Sequence, residues 1–141
     1  MLIELALATV LVVTTAIFHG LGLLVIGRLL RAFDRGSDDV ELDPLSRTGA
    51  AYTSAVVLGL LALAGTEIWF YAIVYLLIGA TATLAASVYF STITYAAIGF
   101  SDTALAAPWR LVGAIEGING VLLLGWSVAF LVAELQRVRH R

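Results

Sequence analysis

Three ionisable side chains interrupt otherwise apolar stretches of the sequence: His19, Glu67 and Glu116. Ionisable groups in apolar surroundings are costly, and they face protein or water, where they can bind and release protons. Two interpretations fit each of them. The histidine either packs against a neighbouring helix or senses protons, and each carboxylate either has a structural role or changes charge with pH. In the structural role, a carboxylate stays protonated or accepts hydrogen bonds from Thr92, Thr94, Tyr95 or Trp69.

The rest of the composition offers little for catalysis. The chain has no cysteine and two histidines, so thiol chemistry and cysteine-based metal sites are excluded and acid–base catalysis has few candidates. A net charge of −2 gives no electrostatic case for nucleic acid. We therefore predict that the protein is not an enzyme, uses no metal or other cofactor and binds no nucleic acid.

Hydropathy places the chain in a membrane. Its 141 residues are 61% hydrophobic and 13% charged, with a mean hydropathy of +1.01, whereas a soluble domain is about half apolar and about a quarter charged. The apolar segments are helical by composition and long enough to cross a bilayer. The sequence therefore predicts an all-α, multi-pass membrane protein.

Arginine positions set the number of crossings. Seven of the eight arginines form two groups, which are Arg28, Arg31, Arg35 and Arg47 around the first polar stretch and Arg137, Arg139 and Arg141 at the C-terminal end. The positive-inside rule puts both groups in the cytoplasm and the N-terminus outside, which requires an odd number of crossings. The predicted elements are a transmembrane helix over 1–30, a cytoplasmic linker over 31–47, an outer helix over 48–78, a short helix over 85–96, a loop over 97–102, an inner helix over 108–135 and a cytoplasmic basic tail over 136–141.

The short helix is the most informative of these elements. The stretch from Tyr89 to Asp102 reads as a half-length amphipathic helix that runs into a Gly-Phe-Ser-Asp loop. Non-helical backbone at membrane depth survives only where protein buries it or where it lines a watery cavity. We therefore predict that this segment dips in from the outer side and returns. An aromatic belt at the outer end of the second span fits this prediction, and its members are Trp69, Phe70, Tyr71 and Tyr75.

Taken in order, these features resemble the pore module of the potassium channel superfamily over residues 48–135. The family's Thr-Val-Gly-Tyr-Gly-Asp filter corresponds to the stretch from Ala97 to Asp102, and the aromatic-aromatic-Ser opening of its pore helix corresponds to Tyr89-Phe90-Ser91. Trp109-Arg110-Leu111 is similar to the start of the family's inner helix. The first helix is an addition to that module, and it packs either outside the second span or between subunits.

The resemblance implies a homotetramer in a bacterial cell membrane, with four copies around one axis that conducts monovalent cations such as K⁺ or Na⁺. It places the selectivity filter at Ala97, Ile98, Gly99, Phe100, Ser101 and Asp102. It places pore-helix residues at Thr92, Thr94 and Tyr95, and an inner-helix hinge and cavity at Asn119, Gly120 and Leu124. Asn119 either faces that cavity or hydrogen-bonds across helices. In this setting, the candidates for pH-dependent gating are Glu67, Glu116 and His19.

Two departures from the family's filter bear on selectivity. Ala97 stands where the family has Thr, so the cation site formed by the threonine hydroxyls is expected to be lost. Ser101 replaces the second filter Gly, and a left-handed backbone at a non-glycine residue costs roughly 1–2 kcal/mol. We therefore predict weakened or absent discrimination between K⁺ and Na⁺. The alternative is a pore-like membrane protein that does not conduct and serves as a structural or regulatory subunit.

Overall fold

A computed structural model describes residues 1–34, 47–99 and 104–139, and the secondary structure of this part of the chain is entirely helical. The elements in chain order are α1 (Leu2–Asp34), α2 (Arg47–Leu77), the short α3 (Leu84–Tyr95), a 3₁₀ turn (Ala107–Trp109) and α4 (Arg110–Arg139).

Three of these helices are long and apolar enough to cross a membrane. The candidate spans are Leu2–Ala32, Arg47–Leu77 and Ala107–Arg137, each of 31 residues, or roughly 45 Å at the α-helical rise. Large apolar side chains point outward from all three, among them Leu21, Leu58 and Leu122. Apolar side chains on the outside of the bundle suit a lipid environment. The structure confirms the predicted all-α protein with three helices that are long and apolar enough to span a membrane.

The helix ends differ from the predicted boundaries by a few residues. α1 continues to Asp34, past its predicted end at residue 30, and α4 continues to Arg139, into the predicted tail. Neither extension contains a glycine or a proline, so the sequence has no breaker there. Arg31 lies in the last turn of α1, where a positive charge offsets the negative end of the helix dipole. Residues 35–46 of the predicted linker lie outside the described residues.

The two ends of the helix bundle are distinct. At one end, Leu30 of α1 packs with Tyr52 and Val56 of α2 and with Leu131 of α4. At this same end the Tyr52 hydroxyl group donates to Glu134 and accepts from Arg137, both at 3.0 Å. The start of α2 and the ends of α1 and α4 therefore lie together, which brings Arg28, Arg31, Arg47 and Arg137 to one end of the described bundle.

At the other end, the chain leaves the bundle and comes back to the same place. α2 ends at Leu77. Gly79, with a φ of +67°, closes the helix, and the Ala80 N–H donates to the Tyr75 carbonyl at 2.8 Å. After α3 and its loop, the Ala106 N–H donates to the Ala80 carbonyl at 3.0 Å. Residues 81–105 are therefore an excursion whose two ends meet.

α3 runs from this end down between α2 and α4. Thr83 caps its N-terminus, because its hydroxyl oxygen accepts from the Ala86 N–H at 3.2 Å. Its C-terminal residue Tyr95 reaches Glu67, which lies ten residues, or about 15 Å, from the end of α2 at Leu77. α3 therefore extends about a third of the way along the long helices before the chain turns back.

Candidate pore-loop site

Two buried carboxylates, one from α4 and one from α2, bind hydroxyl groups of α3. Glu116 of α4 accepts from the Ser91 hydroxyl at 2.5 Å and from the Tyr75 hydroxyl at 2.6 Å. Its side chain is fully buried. Because each carboxylate oxygen has its own donor, this polar group is satisfied inside an apolar bundle. Ser91 also lies within 3.1 Å of the Ile68 carbonyl of α2, so one α3 residue contacts both neighbouring helices.

Glu67 of α2 makes the second set of contacts. One oxygen accepts from the Tyr95 hydroxyl at 2.5 Å, and the other lies 2.9 Å from Nδ1 of His19 on α1. Both Glu67 and His19 are fully buried. On the far side of the imidazole ring, Nε2 lies 3.3 Å from the Ser127 hydroxyl of α4. Side chains from all four helices therefore meet in one continuous polar cluster.

The predicted alternatives for Asn119 are separated by its contacts. The Asn119 side-chain amide donates to the Thr15 hydroxyl at 2.9 Å and to the Tyr71 hydroxyl at 3.2 Å. These partners lie on α1 and α2, and Asn119 is buried against them. Asn119 therefore hydrogen-bonds across helices within one chain and does not face outward from α4.

The four predicted partners of the carboxylates differ in what they contact. Tyr95 contacts Glu67 as described, whereas the Thr92 hydroxyl is exposed and donates to the Val88 carbonyl of its own helix at 2.7 Å. The Thr94 hydroxyl is buried and has no hydrogen-bond partner among the described residues. Trp69 faces outward with half of its surface exposed.

The predicted aromatic belt is also divided. Trp69 and Phe70 point outward, but Tyr71 and Tyr75 are buried and belong to the polar cluster and to the core. The physical reason is helical spacing, since Glu67, Tyr71 and Tyr75 lie four residues apart and share one face of α2. For these two tyrosines the belt prediction was wrong.

The loop after α3 begins with an unusual turn. Ala97 has a φ of +53°, its N–H donates to the Thr94 carbonyl at 3.0 Å, and the Ile98 N–H donates to the Ile93 carbonyl at 2.9 Å. This pair of bonds is the Schellman closure of a helix, in which glycine usually occupies the left-handed position. An alanine there costs about 1–2 kcal/mol.

This turn changes the start of the predicted filter. Ala97 and Ile98, the first two residues of the predicted filter, take part in the turn that closes α3. Within the part of the chain that the structure describes, Ala97 is the non-glycine residue with a left-handed backbone. Phe100, Ser101 and Asp102 lie outside the described residues.

The backbones of α4 and α3 approach closely at Gly120. A Cβ atom placed on Gly120 would lie 2.8 Å from the Tyr95 Cα and 2.9 Å from the Tyr95 carbonyl carbon. α4 passes through Gly120 without a break. Glycine therefore allows close approach of two helices at this point, while its predicted role as a hinge stays a prediction. Leu124, the other predicted cavity residue, is half-buried one turn further along.

The sequence did not predict the polar contacts of five of these buried residues: Thr15, Tyr71, Tyr75, Ser91 and Ser127. A signal for them was present, because polar residues recur at helical spacing on the inner face of each long helix. Thr15 and His19 are four residues apart on α1, and Ser127 follows Asn119 by eight on α4.

Three membrane-spanning helices with a short helix that enters between the second and third define the pore-loop class of membrane proteins. A family model described as "Ion channel" matches residues 49–137, from the first turn of α2 almost to the end of α4. The match covers well over half of the chain, and the chain belongs to this ion channel family, of the two-transmembrane potassium channel type. Searches of curated proteins and of solved structures gave no match.

Proposed function

We propose that this protein is a subunit of a cation channel, in which four copies surround one axis and conduct monovalent cations passively. The observation that carries the proposal is the excursion over residues 81–105, which enters beside α2, ends α3 about a third of the way down and returns to Ala80. A re-entrant helix and loop of this kind supplies the filter carbonyls of channels. Membership of the ion channel family supports transport, and not catalysis, as the activity.

Assembly is proposed because one chain leaves its loop uncovered. Ile98 is 75% exposed, and Ala96, Ala97 and Gly99 are exposed as well. The side of α4 that faces away from the bundle is apolar and includes Ile118, Val121 and Leu122. Non-helical backbone at membrane depth requires protein or water around it. Three further copies around an axis next to the α3 loop would supply both.

The C-terminal end of α3 would point toward that axis. A helix C-terminus carries partial negative charge, which favours a cation in front of it. Within the chain, the carboxylates of Glu67 and Glu116 are held behind α3 by hydroxyl donors and not in front of it. The permeant cation would therefore meet backbone carbonyls and the helix end before any carboxylate among the described residues.

Weak discrimination between K⁺ and Na⁺ is part of the proposal. Ala97 has no hydroxyl group, and its N–H and that of Ile98 are occupied in closing α3. The family's innermost cation site therefore lacks its side-chain oxygen. With fewer fixed oxygens around the ion, the filter binds K⁺ and Na⁺ with more similar free energies.

The orientation follows from the shared end of the arginine groups. With Arg28, Arg47 and Arg137 at one end of the bundle, the positive-inside rule puts that end in the cytoplasm and the α3 loop near the outer surface. We propose a bacterial cell membrane as the location.

A second candidate is a pore-like subunit that does not conduct. The observation that favours it is the turn at Ala97, which draws the first two residues of the predicted filter, Ala97 and Ile98, into the closure of α3. A shortened filter could leave too few carbonyls to replace the water shell of an ion.

Purified full-length protein in planar bilayers tests both candidates. With KCl on one side and NaCl on the other, the proposal predicts cation current with a reversal potential near zero, because the two permeabilities are similar. A strong shift toward the K⁺ potential would overturn weakened selectivity. Silence over a range of pH, from protein shown by cross-linking to be tetrameric, would establish the second candidate. A monomer under all conditions would contradict the assembly.

A further inference from the structure

The family match starts at residue 49, so it leaves out the whole of α1. Yet α1 places a fully buried histidine at the centre of the molecule. His19 contacts Glu67 at 2.9 Å, and the other oxygen of Glu67 accepts from Tyr95, the last residue of α3. A three-residue chain of hydrogen bonds therefore runs from the added helix to the end of the pore helix.

We infer that α1 positions the pore loop through the relay His19–Glu67–Tyr95. An effect of this relay on ion conduction rests on the proposed function, whereas its effect on the position of the loop does not. His19 is a positioning residue here, since it touches neither the loop nor a permeating ion and acts through Glu67.

The hydrogen bonds of Glu67 support the relay. A carboxylate only accepts, so its two oxygens need two donors, and the described residues supply the Tyr95 hydroxyl and the His19 Nδ1. If the histidine donor is removed, one oxygen of a fully buried carboxylate loses its partner. Glu67 then has to turn toward another donor, and this change alters its bond to Tyr95.

Tyr95 transmits such a change to the loop. The turn that closes α3 begins at the next residue, and its bonds involve the Ile93 and Thr94 carbonyls and the Ala97 and Ile98 N–H groups. The Tyr95 backbone also rests on Gly120. Movement of Tyr95 therefore moves the first residues of the loop directly.

Hydrogen–deuterium exchange of the full chain in lipid nanodiscs tests the relay. His19→Leu removes the donor and puts an apolar side chain of similar size in its place. Exchange in residues 93–99 should then rise about tenfold or more, as expected when a buried hydrogen bond of this kind is lost. His19→Asn keeps an N–H donor near the position of Nδ1, and it should restore slow exchange. Combining His19→Leu with Tyr95→Phe should add little to the larger single effect, because both act on one chain of bonds.

Leu23→Ala is the matched control. Leu23 is a buried α1 residue one turn after His19, so the substitution weakens α1 packing and leaves the relay intact. It should speed exchange in α1 and leave residues 93–99 unchanged. Equal acceleration of residues 93–99 by Leu23→Ala and His19→Leu would overturn the inference, as would no acceleration in His19→Leu.

A second readout uses the channel itself. If the wild-type protein conducts, His19→Leu should change the K⁺/Na⁺ permeability ratio while Leu23→Ala should not. A changed current amplitude with an unchanged ratio in both variants would contradict a positional role. The exchange measurement needs no current, so a protein that exchanges as expected but stays silent refutes the proposed conduction and not the relay.

Discussion

Substitution of Gly120 by alanine tests whether this glycine serves close packing of α3 against α4 or bending of α4. In the structure the new Cβ would lie 2.8 Å from the Tyr95 Cα, while ordinary contact begins at 3.4 Å. The Tyr95 carbonyl oxygen would lie closer still, so α3 and α4 would have to move apart by more than about 0.6 Å (3.4 − 2.8) at this point. Both partners are backbone atoms, so no side chain can rotate away.

The magnitude follows from two opposing effects. Overpacking of this kind costs typically 1–3 kcal/mol, and replacing glycine by alanine inside a helix gains about 1 kcal/mol. The net expectation is destabilisation of up to about 2 kcal/mol, with loosening of the hydrogen bond between Tyr95 and Glu67. If Gly120 serves only as a hinge, alanine should instead stabilise the straight α4.

The assay is equilibrium unfolding in mixed detergent micelles, with Gly65→Ala as control. Gly65 lies in α2, and a Cβ placed on it would meet no neighbouring atom within 4 Å, so alanine there should be neutral or stabilising by up to about 1 kcal/mol. Gly120→Ala that is as stable as Gly65→Ala would refute the close-packing argument.

Three further predictions concern single contacts. Ala97→Gly should stabilise the protein by about 1 kcal/mol in thermal unfolding, because glycine tolerates the positive φ, and a loss of stability would contradict the left-handed turn. Tyr52→Phe removes the hydroxyl that donates to Glu134, and it should cost about 1 kcal/mol, whereas an unchanged melting temperature would show that this contact contributes nothing. If Glu67 and Glu116 control gating, Glu67→Gln and Glu116→Gln should each alter the pH dependence of current, and unchanged profiles in both would end that hypothesis.

Much of the fold follows from simple sequence features. Uninterrupted apolar segments fix the three spans, because lipid demands about 20 apolar residues per crossing. The arginine groups required an odd number of crossings, and the structure places the start of α2 beside the end of α4 through Tyr52 and Arg137. In the structure, Gly79 closes α2 and Thr83 caps the short helix, which are common roles of glycine and threonine at helix ends.

The site was less predictable, because it depends on which faces meet. Sequence alone identified His19, Glu67 and Glu116 as costly residues, but not that His19 and Glu67 would contact each other across 48 positions. Such pairing is set by the rotation and depth of two helices, which no local pattern encodes. The left-handed turn at Ala97 was missed for a different reason, since alanine carries no signal for that conformation.

Accessibility of introduced cysteines tests the re-entrant path most directly, and the chain has no cysteine of its own to interfere. Ala82 and Ala104 are exposed near the two ends of the excursion, and Ala50 is exposed near the start of α2. Added outside intact cells, a membrane-impermeant maleimide should label both Ala82→Cys and Ala104→Cys but not Ala50→Cys. Ala50→Cys should react only when the reagent reaches the opposite face of the membrane. Labelling of positions 82 and 104 from opposite sides would mean that this segment crosses the membrane, and it would contradict the pore-loop account.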